Sequence, residues 1–145
     1  GLRFFTVYGP WGRPDMAIYI FTKKIIEEQS LPIFNKGNMY RDFTYIDDII
    51  VGIKSAIRKN YKCEVFNIGN NKSEYLMDLV NMLEQYIGKR ANIKYLNMQP
   101  GDVKKTHADI NYSQEMLNFS PTTSISKGIP KFIDWYLDYI TKISL

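Results

Sequence analysis

Apolar and polar positions along the chain switch between an alternating and a helical period, and the switches mark its elements. Residues 2 to 7, Leu-Arg-Phe-Phe-Thr-Val, alternate loosely and are rich in aromatic and β-branched side chains, which predicts a strand. Gly9, Pro10, Gly12 and Pro14 then forbid regular structure. With Asp15 as its cap, Met16 to Gln29 reads as a helix, apolar nearly all round at its start and charged at its end. Such a helix begins buried and finishes in water. Pro32-Ile33-Phe34 and Phe43-Thr44-Tyr45 are short strands separated by the turn-rich Asn35-Lys36-Gly37-Asn38. Asp47 and Asp48 suit a helix N-terminus, and Ile49, Ile50, Ile53, Ala56 and Ile57 form an apolar face expected to pack on a sheet.

Further on, Glu64 to Ile68 reads as a strand ended by Gly69-Asn70-Asn71. Ser73 is placed to cap a helix whose face is Leu76, Leu79, Val80, Leu83 and Ile87, with Gly88 closing it. Ile93 to Asn97 is the last clear strand, and Gln99-Pro100-Gly101-Asp102 after it has turn chemistry. A short helix near Ser113 to Leu117 must stop before Pro121. The final helix, about Lys127 to Ile140, carries Ile125, Ile129, Phe132, Ile133, Tyr136 and Ile140 at helical spacing, with Pro130 near its first turn. Trp135 and Tyr136 read as core and interface aromatics. Strands alternating with helices give an α/β protein.

Composition narrows the class. The 145 residues suffice for one domain with a real core, and 45% of them are apolar. No run approaches the ~20 apolar residues of a membrane span, and no basic-then-apolar leader opens the chain. The single cysteine, Cys63, excludes an internal disulfide, fits a reducing, cytoplasmic compartment and reads as a small buried hydrophobe. A net charge of +4 invites a nucleic-acid reading. Yet Lys23-Lys24, Arg58-Lys59, Lys89-Arg90 and Lys104-Lys105 are scattered pairs that form no stripe, so no nucleic-acid partner is expected. A modest positive field would still suit an anionic small molecule.

The chemistry is mostly notable for what is missing. Gly9 and Gly12 follow the first strand, but Asp15 stands where a dinucleotide cradle needs its third glycine. Tyr19 and Lys23 have a Tyr-x-x-x-Lys spacing, yet Tyr19 sits among Ile18, Ile20 and Phe21 and reads as a packed helix face. His107 is the only histidine, which removes a histidine-based metal site or relay. Asp47 and Asp48 read as a cap, and Asp42 as a partner for a neighbouring cation. What remains is a set of residues beside strand ends suited to an anionic, hydroxylated ligand: Thr6, Tyr8, Arg13, Arg41 and Asp102. An arginine fork matches phosphate, and a carboxylate on a Pro-Gly turn accepts from vicinal hydroxyls.

The run Arg3 to Ala17, then Tyr40 to Asp48, Val65 to Asn70, Met98 to Val103 and Trp135-Tyr136, resembles the C-terminal half of UDP-glucuronate 4-epimerases. These are extended short-chain dehydrogenase/reductases of the NAD-dependent epimerase/dehydratase family. The resemblance implies the last strands of a Rossmann-type parallel sheet plus a small substrate-binding α/β subdomain across residues 1–145. The N-terminal cofactor-binding domain would be absent. In the complete enzyme, NAD would take a hydride from C4 of the sugar while a tyrosine takes the hydroxyl proton, and hydride would return to the other face. UDP-galacturonate would result, as a feed for surface polysaccharide.

Position by position, Thr6 would face the sugar and its carboxylate, and Tyr8 and Pro10 would lie beside the nicotinamide. Arg13 and Arg41 would grip the sugar-diphosphate, Phe34 would lie by the uracil, and Asp102 would accept from the ribose hydroxyls. Gln99 departs from the arginine many related epimerases carry there. The catalytic Tyr/Lys pair would lie upstream, so this chain alone is expected to be inactive, with Phe4, Phe5 and Val7 exposed. The full-length enzyme would be a homodimer. The alternatives are a UDP-glucuronate decarboxylase or dehydratase, and a non-catalytic nucleotide-sugar binding module.

Overall fold

A computed structural model describes residues 1–143, in which seven strands fall into three small sheets flanked by five helices. Strand β1 (Leu2–Phe4) pairs in parallel with β5 (Phe66–Ile68), Leu2 opposite Phe66. Strand β2 (Thr6–Tyr8) pairs in parallel with β4 (Tyr40–Tyr45), Thr6 opposite Phe43, and β4 pairs antiparallel with β6 (Ser73–Tyr75). Strand β3 (Ser30–Phe34) pairs in parallel with β7 (Asn92–Leu96). The fold is α/β with parallel pairing, as the alternation of elements predicts.

The run 2–7 is two strands rather than one. Phe5 lies between them, its N–H still bonded to Ile68 O at 3.2 Å, and the chain passes there from one sheet to the next. The helices are α1 (Ala17–Ile26), α2 (Ile46–Lys59), α3 (Leu76–Ile87), α4 (Asn111–Leu117) and α5 (Ile125–Ile143). Helix α3 buries Leu76, Leu79, Val80 and Leu83 and stops at Gly88, whose φ of 75° only glycine adopts freely. A larger core gathers α1, β3, β4, α3 and α5, with Ile25, Leu31, Phe43, Leu83 and Phe132 fully buried. A smaller one joins β5, α2 and α4 through Ile49, Ile68, Leu117 and Phe119. None of the described helices is long and apolar enough to cross a membrane.

Several local expectations change. The residues before α1, α2 and α3 are Met16, Tyr45 and Tyr75, and none makes a side-chain cap. Asp15 instead pairs with Arg13. Asp48, 5% exposed, accepts from the Thr122 and Thr123 amides at 3.1 and 3.0 Å and so anchors the approach to α5. Ser73 lies in β6 and donates its hydroxyl to Thr106 O at 2.7 Å. On α2 the buried stripe is Ile49, Gly52, Ile53 and Ala56, because Gly52 lets the helix close on Ile68 and Phe119. Ile50 and Ile57, about 100° and 80° around the axis from Ile49, are exposed. Cys63 is exposed too, since its strand begins only at Phe66. Helix α5 starts at Ile125, so Pro130 falls in its second turn. Phe4 is exposed as expected, whereas Phe5 and Val7 are half-buried.

Candidate functional site

After β2 the chain turns through Gly9, Pro10, Trp11 and Gly12 to Arg13. Gly9 has φ 138° and faces Ile46, where a Cβ would overlap the isoleucine side chain and touch the Tyr45 ring. Gly12 N–H closes the turn on Gly9 O at 3.0 Å. This loop, with Phe4, Thr6, Tyr8 and Ile46, lines an open cleft of about 490 Å³ that also takes in Pro10 and Arg13. Four of the expected site residues therefore share one wall.

Arg13 and Asp15 form a forked pair, Nε to Oδ1 at 3.1 Å and Nη2 to Oδ2 at 2.5 Å. The hydrogen bond raises the guanidinium pKa and lowers that of the carboxylate. Both side chains are solvated, so water screens the pair and a ligand anion could replace Asp15 at little cost.

Tyr8 belongs to the wall, but its ring belongs to the core. It is 4% exposed and packs edge-on against Tyr45 at 5.5 Å and Phe43 at 6.4 Å between ring centres. The hydroxyl rests against Gly128 of α5, with no hydrogen-bond partner among the described residues. Burial, and then the charges of Tyr45, Asp48 and Glu74, push the phenol far above its ordinary pKa of 10.0. It cannot serve as a proton acceptor near neutrality.

The second group lies apart from the cleft. Arg41, at the start of β4, donates from Nη2 to Asp102 Oδ1 at 2.7 Å and from Nη1 to Tyr40 O at 2.8 Å. Asp102 follows Gly101 (φ 80°) in a turn closed by Asp102 N–H on Gln99 O at 3.2 Å. Among the described residues the hydrogen bonds to the Asp102 carboxylate, from Arg41 and from Val103 N–H, both fall on Oδ1. Phe34 ends β3 opposite Leu96, half-buried. None of Phe34, Arg41 and Asp102 lines the cleft.

Asp42 holds this second group together and is a correction, for no cation pairs with it among the described residues. It is fully buried and accepts from the amides of Asn70 (2.8 Å), Lys72 (3.3 Å) and Ala108 (3.0 Å) and from the Thr44 hydroxyl (3.2 Å). Its own N–H donates to Thr106 Oγ1 at 3.1 Å, and Tyr40 N–H to Lys104 O at 2.9 Å, so the segment carrying Asp102 is laced to the strand carrying Arg41. The signal available in sequence was an aspartate inside a strand, where that residue is normally depleted.

Tyr19 packs edge-on against Tyr136 at 5.1 Å, the core role its neighbours imply, and burial raises its pKa. His107 is exposed, with Nδ1 3.4 Å from Ser73 Oγ. No group of three metal-ligating side chains gathers among the described residues. Nor do they form a pyrophosphate cradle: Gly12 is followed by four non-glycine residues before α1 begins.

Residues 1–69 match the NAD dependent epimerase/dehydratase family. Protein CapI of Staphylococcus aureus is 44% identical across 98% of this chain and 48% of its own length. UDP-glucuronate 4-epimerase 4 of Arabidopsis thaliana is 44% identical across 96% of this chain and 36% of its own. Among solved structures, a mutant UDP-glucuronic acid 4-epimerase from Bacillus cereus, in complex with UDP-4-deoxy-4-fluoro-glucuronic acid and NAD, superposes with a TM-score of 0.89. It is 43% identical over 95% of this chain and 45% of that one. The chain thus spans about half the length, or less, of the relatives it matches. The family match covers residues 1–69, and similarity to such relatives extends over nearly the whole chain.

Proposed function

We propose that the chain is the substrate-binding portion of a UDP-glucuronate 4-epimerase, completed by a separate cofactor-binding portion. The observation that carries this reading is the 43% identity and 0.89 TM-score to an epimerase solved with a UDP-glucuronate analogue and NAD. The geometry is compatible with it. A nucleotide sugar acid carries a carboxylate and a diphosphate, and the chain offers one arginine for each.

Arg13 at the cleft mouth would exchange Asp15 for a ligand anion beside Thr6. Arg41 would meet the diphosphate, and Asp102 Oδ2 would accept from the ribose. Phe34 would lie along the uracil. Pro10 and the Tyr8 backbone would form the wall against a nicotinamide and exclude water there. Bound NAD would supply reversible hydride acceptance at C4 of the sugar. The proton acceptor would come from outside this chain, since the Tyr8 ring is buried in the core and Tyr19 packs on Tyr136. A homodimeric, cytoplasmic whole enzyme is part of the same proposal, and the chain by itself would bind without turnover.

Calorimetric titration with UDP-glucuronate, beside UDP-glucose and an Arg41→Ala control, tests it. Binding that prefers the glucuronate and is lost in the control is the expected result. No heat at millimolar ligand would overturn the reading for this chain. A decarboxylase or dehydratase acting on the same nucleotide sugar would bind alike, and its product with the complete protein would reveal it.

A further inference from the structure

Trp11 combines features that seldom meet. Its φ is 62°, the left-handed region that bulky side chains avoid, and among the described non-glycine residues there it alone is aromatic. It is 77% exposed, although an indole gains most from burial. It sits in the loop that lines the cleft, two residues before Arg13. Its ring lies 5.6 Å from that of Trp135 and 5.7 Å from that of Tyr139, both on α5, which are themselves stacked at 5.2 Å and 18°. Trp135 continues inward to Phe132 at 5.6 Å and so to the core. A strained backbone persists only where its surroundings hold it, and here the holding surface is the α5 aromatic pair.

We propose that Trp11 is a positioning residue, a clip by which helix α5 holds the Gly9–Arg13 loop and keeps Arg13 at the mouth of the cleft. Gly9 against Ile46 and the Gly12-to-Gly9 and Met16-to-Arg13 backbone bonds also hold the loop, but of these ties only the Trp11 contacts join it to α5's aromatic pair. The link from the clip to ligand binding rests on the function proposed above.

The chain contains two tryptophans, Trp11 and Trp135, so their skewed pair is the sole source of an indole exciton couplet in circular dichroism. Trp11→Gly should abolish the couplet without lowering Tm, since glycine adopts this φ without strain. Amide exchange at Gly12 and Met16, which bond to Gly9 O and Arg13 O, should speed up at least about tenfold, one aromatic pair being worth roughly that factor. A Trp135→Leu/Tyr139→Leu double variant, which leaves the loop sequence untouched, should accelerate the same two amides. Trp11→Phe should restore slow exchange. UDP-glucuronate affinity should fall about tenfold in Trp11→Gly and recover in Trp11→Phe. Unchanged exchange in the double variant would overturn the clip. Faster exchange with unchanged affinity would overturn its hold on Arg13. Were the wild-type chain to bind no UDP-glucuronate, the proposed function would fall while the exchange data still decided the clip.

Discussion

The hydroxyl of Tyr8 is pressed against the backbone of Gly128, so closely that a methyl group built on that glycine would overlap the oxygen and lie 2.7 Å from ring atom Cζ. The contact joins the strand that leads into the cleft to the helix behind it, yet among the described residues the hydroxyl has no hydrogen-bond partner. A buried, unbonded hydroxyl costs free energy, so Tyr8→Phe should leave Tm unchanged or raise it. Gly128→Ala should cost about 1–3 kcal/mol by overpacking. The double variant should recover part of that loss, because the ring carbons still crowd the new methyl. Thermal unfolding of the three proteins tests the pairing; a large loss in Tyr8→Phe would show that the hydroxyl has a partner after all.

Asp42 should be the least replaceable carboxylate in the chain. Asp42→Asn keeps the shape but turns one acceptor oxygen into a donor facing backbone N–H groups. The cost should be about 3 kcal/mol, seen as a lower midpoint in urea. The loss should be accompanied by faster amide exchange at Ala108 and Asn70, whose N–H groups bond to this carboxylate. Equal stability of the two proteins would contradict the network.

The same residue shows where sequence reading stops. Its neighbours in the chain suggest a cation partner for Asp42, but its amide donors lie 28, 30 and 66 residues away, and only the closed fold supplies them. Arg41 and Asp102 were both singled out by their chemistry, yet their ion pair spans 61 positions and no local pattern announces it. Elements set by periodicity were legible: the buried face of α3, its glycine stop, and the apolar spacing of α5. The division of residues 2–7 was not, since Phe5 has the same strand preference as its neighbours and only sheet membership separates them. Ser73 misled for a related reason. A short polar residue before an apolar run suits a cap, and a three-residue strand that starts at Ser73 itself fits before the run without disturbing the pattern.

Stability should hold up to about pH 10 and fall above it. Burial, followed by Tyr19 and Glu27, pushes the Tyr136 phenol up to about 12, and Tyr8 is raised in the same direction. In the unfolded chain both would ionise near 10.0. Between those values the folded state holds more protons than the unfolded state, so the free energy of unfolding decreases as pH rises. Urea midpoints measured from pH 8 to 12 should be flat and then decline, with a shallower decline in Tyr136→Phe. Rising stability across that range would reverse the sign and refute it.

Cys63 should react fully with an aromatic disulfide reagent in the folded protein, without denaturant, because its side chain is exposed in the turn before β5. Its modification should leave the far-ultraviolet spectrum unchanged. A thiol that titrates only after unfolding would put it back among the core residues that composition suggests.

Arg41 and Asp102 separate binding from stability. Their side chains are 18% and 29% exposed, so the pair is partly screened and should contribute only about 1 kcal/mol to folding. For a bound diphosphate the balance differs. In the proposed function the arginine would meet the phosphates, and Asp102 holds its fork in place while Tyr40 O accepts from the other nitrogen. Arg41→Ala should therefore weaken UDP binding by about a hundredfold with little change in Tm, and Asp102→Ala by about tenfold. The double variant should be weaker than Arg41→Ala alone by less than the Asp102→Ala loss, since without the arginine Asp102 keeps only its proposed ribose contact. Calorimetry on the four proteins closes the cycle. Additive losses would mean that the two residues meet the ligand independently and that their ion pair is incidental to binding.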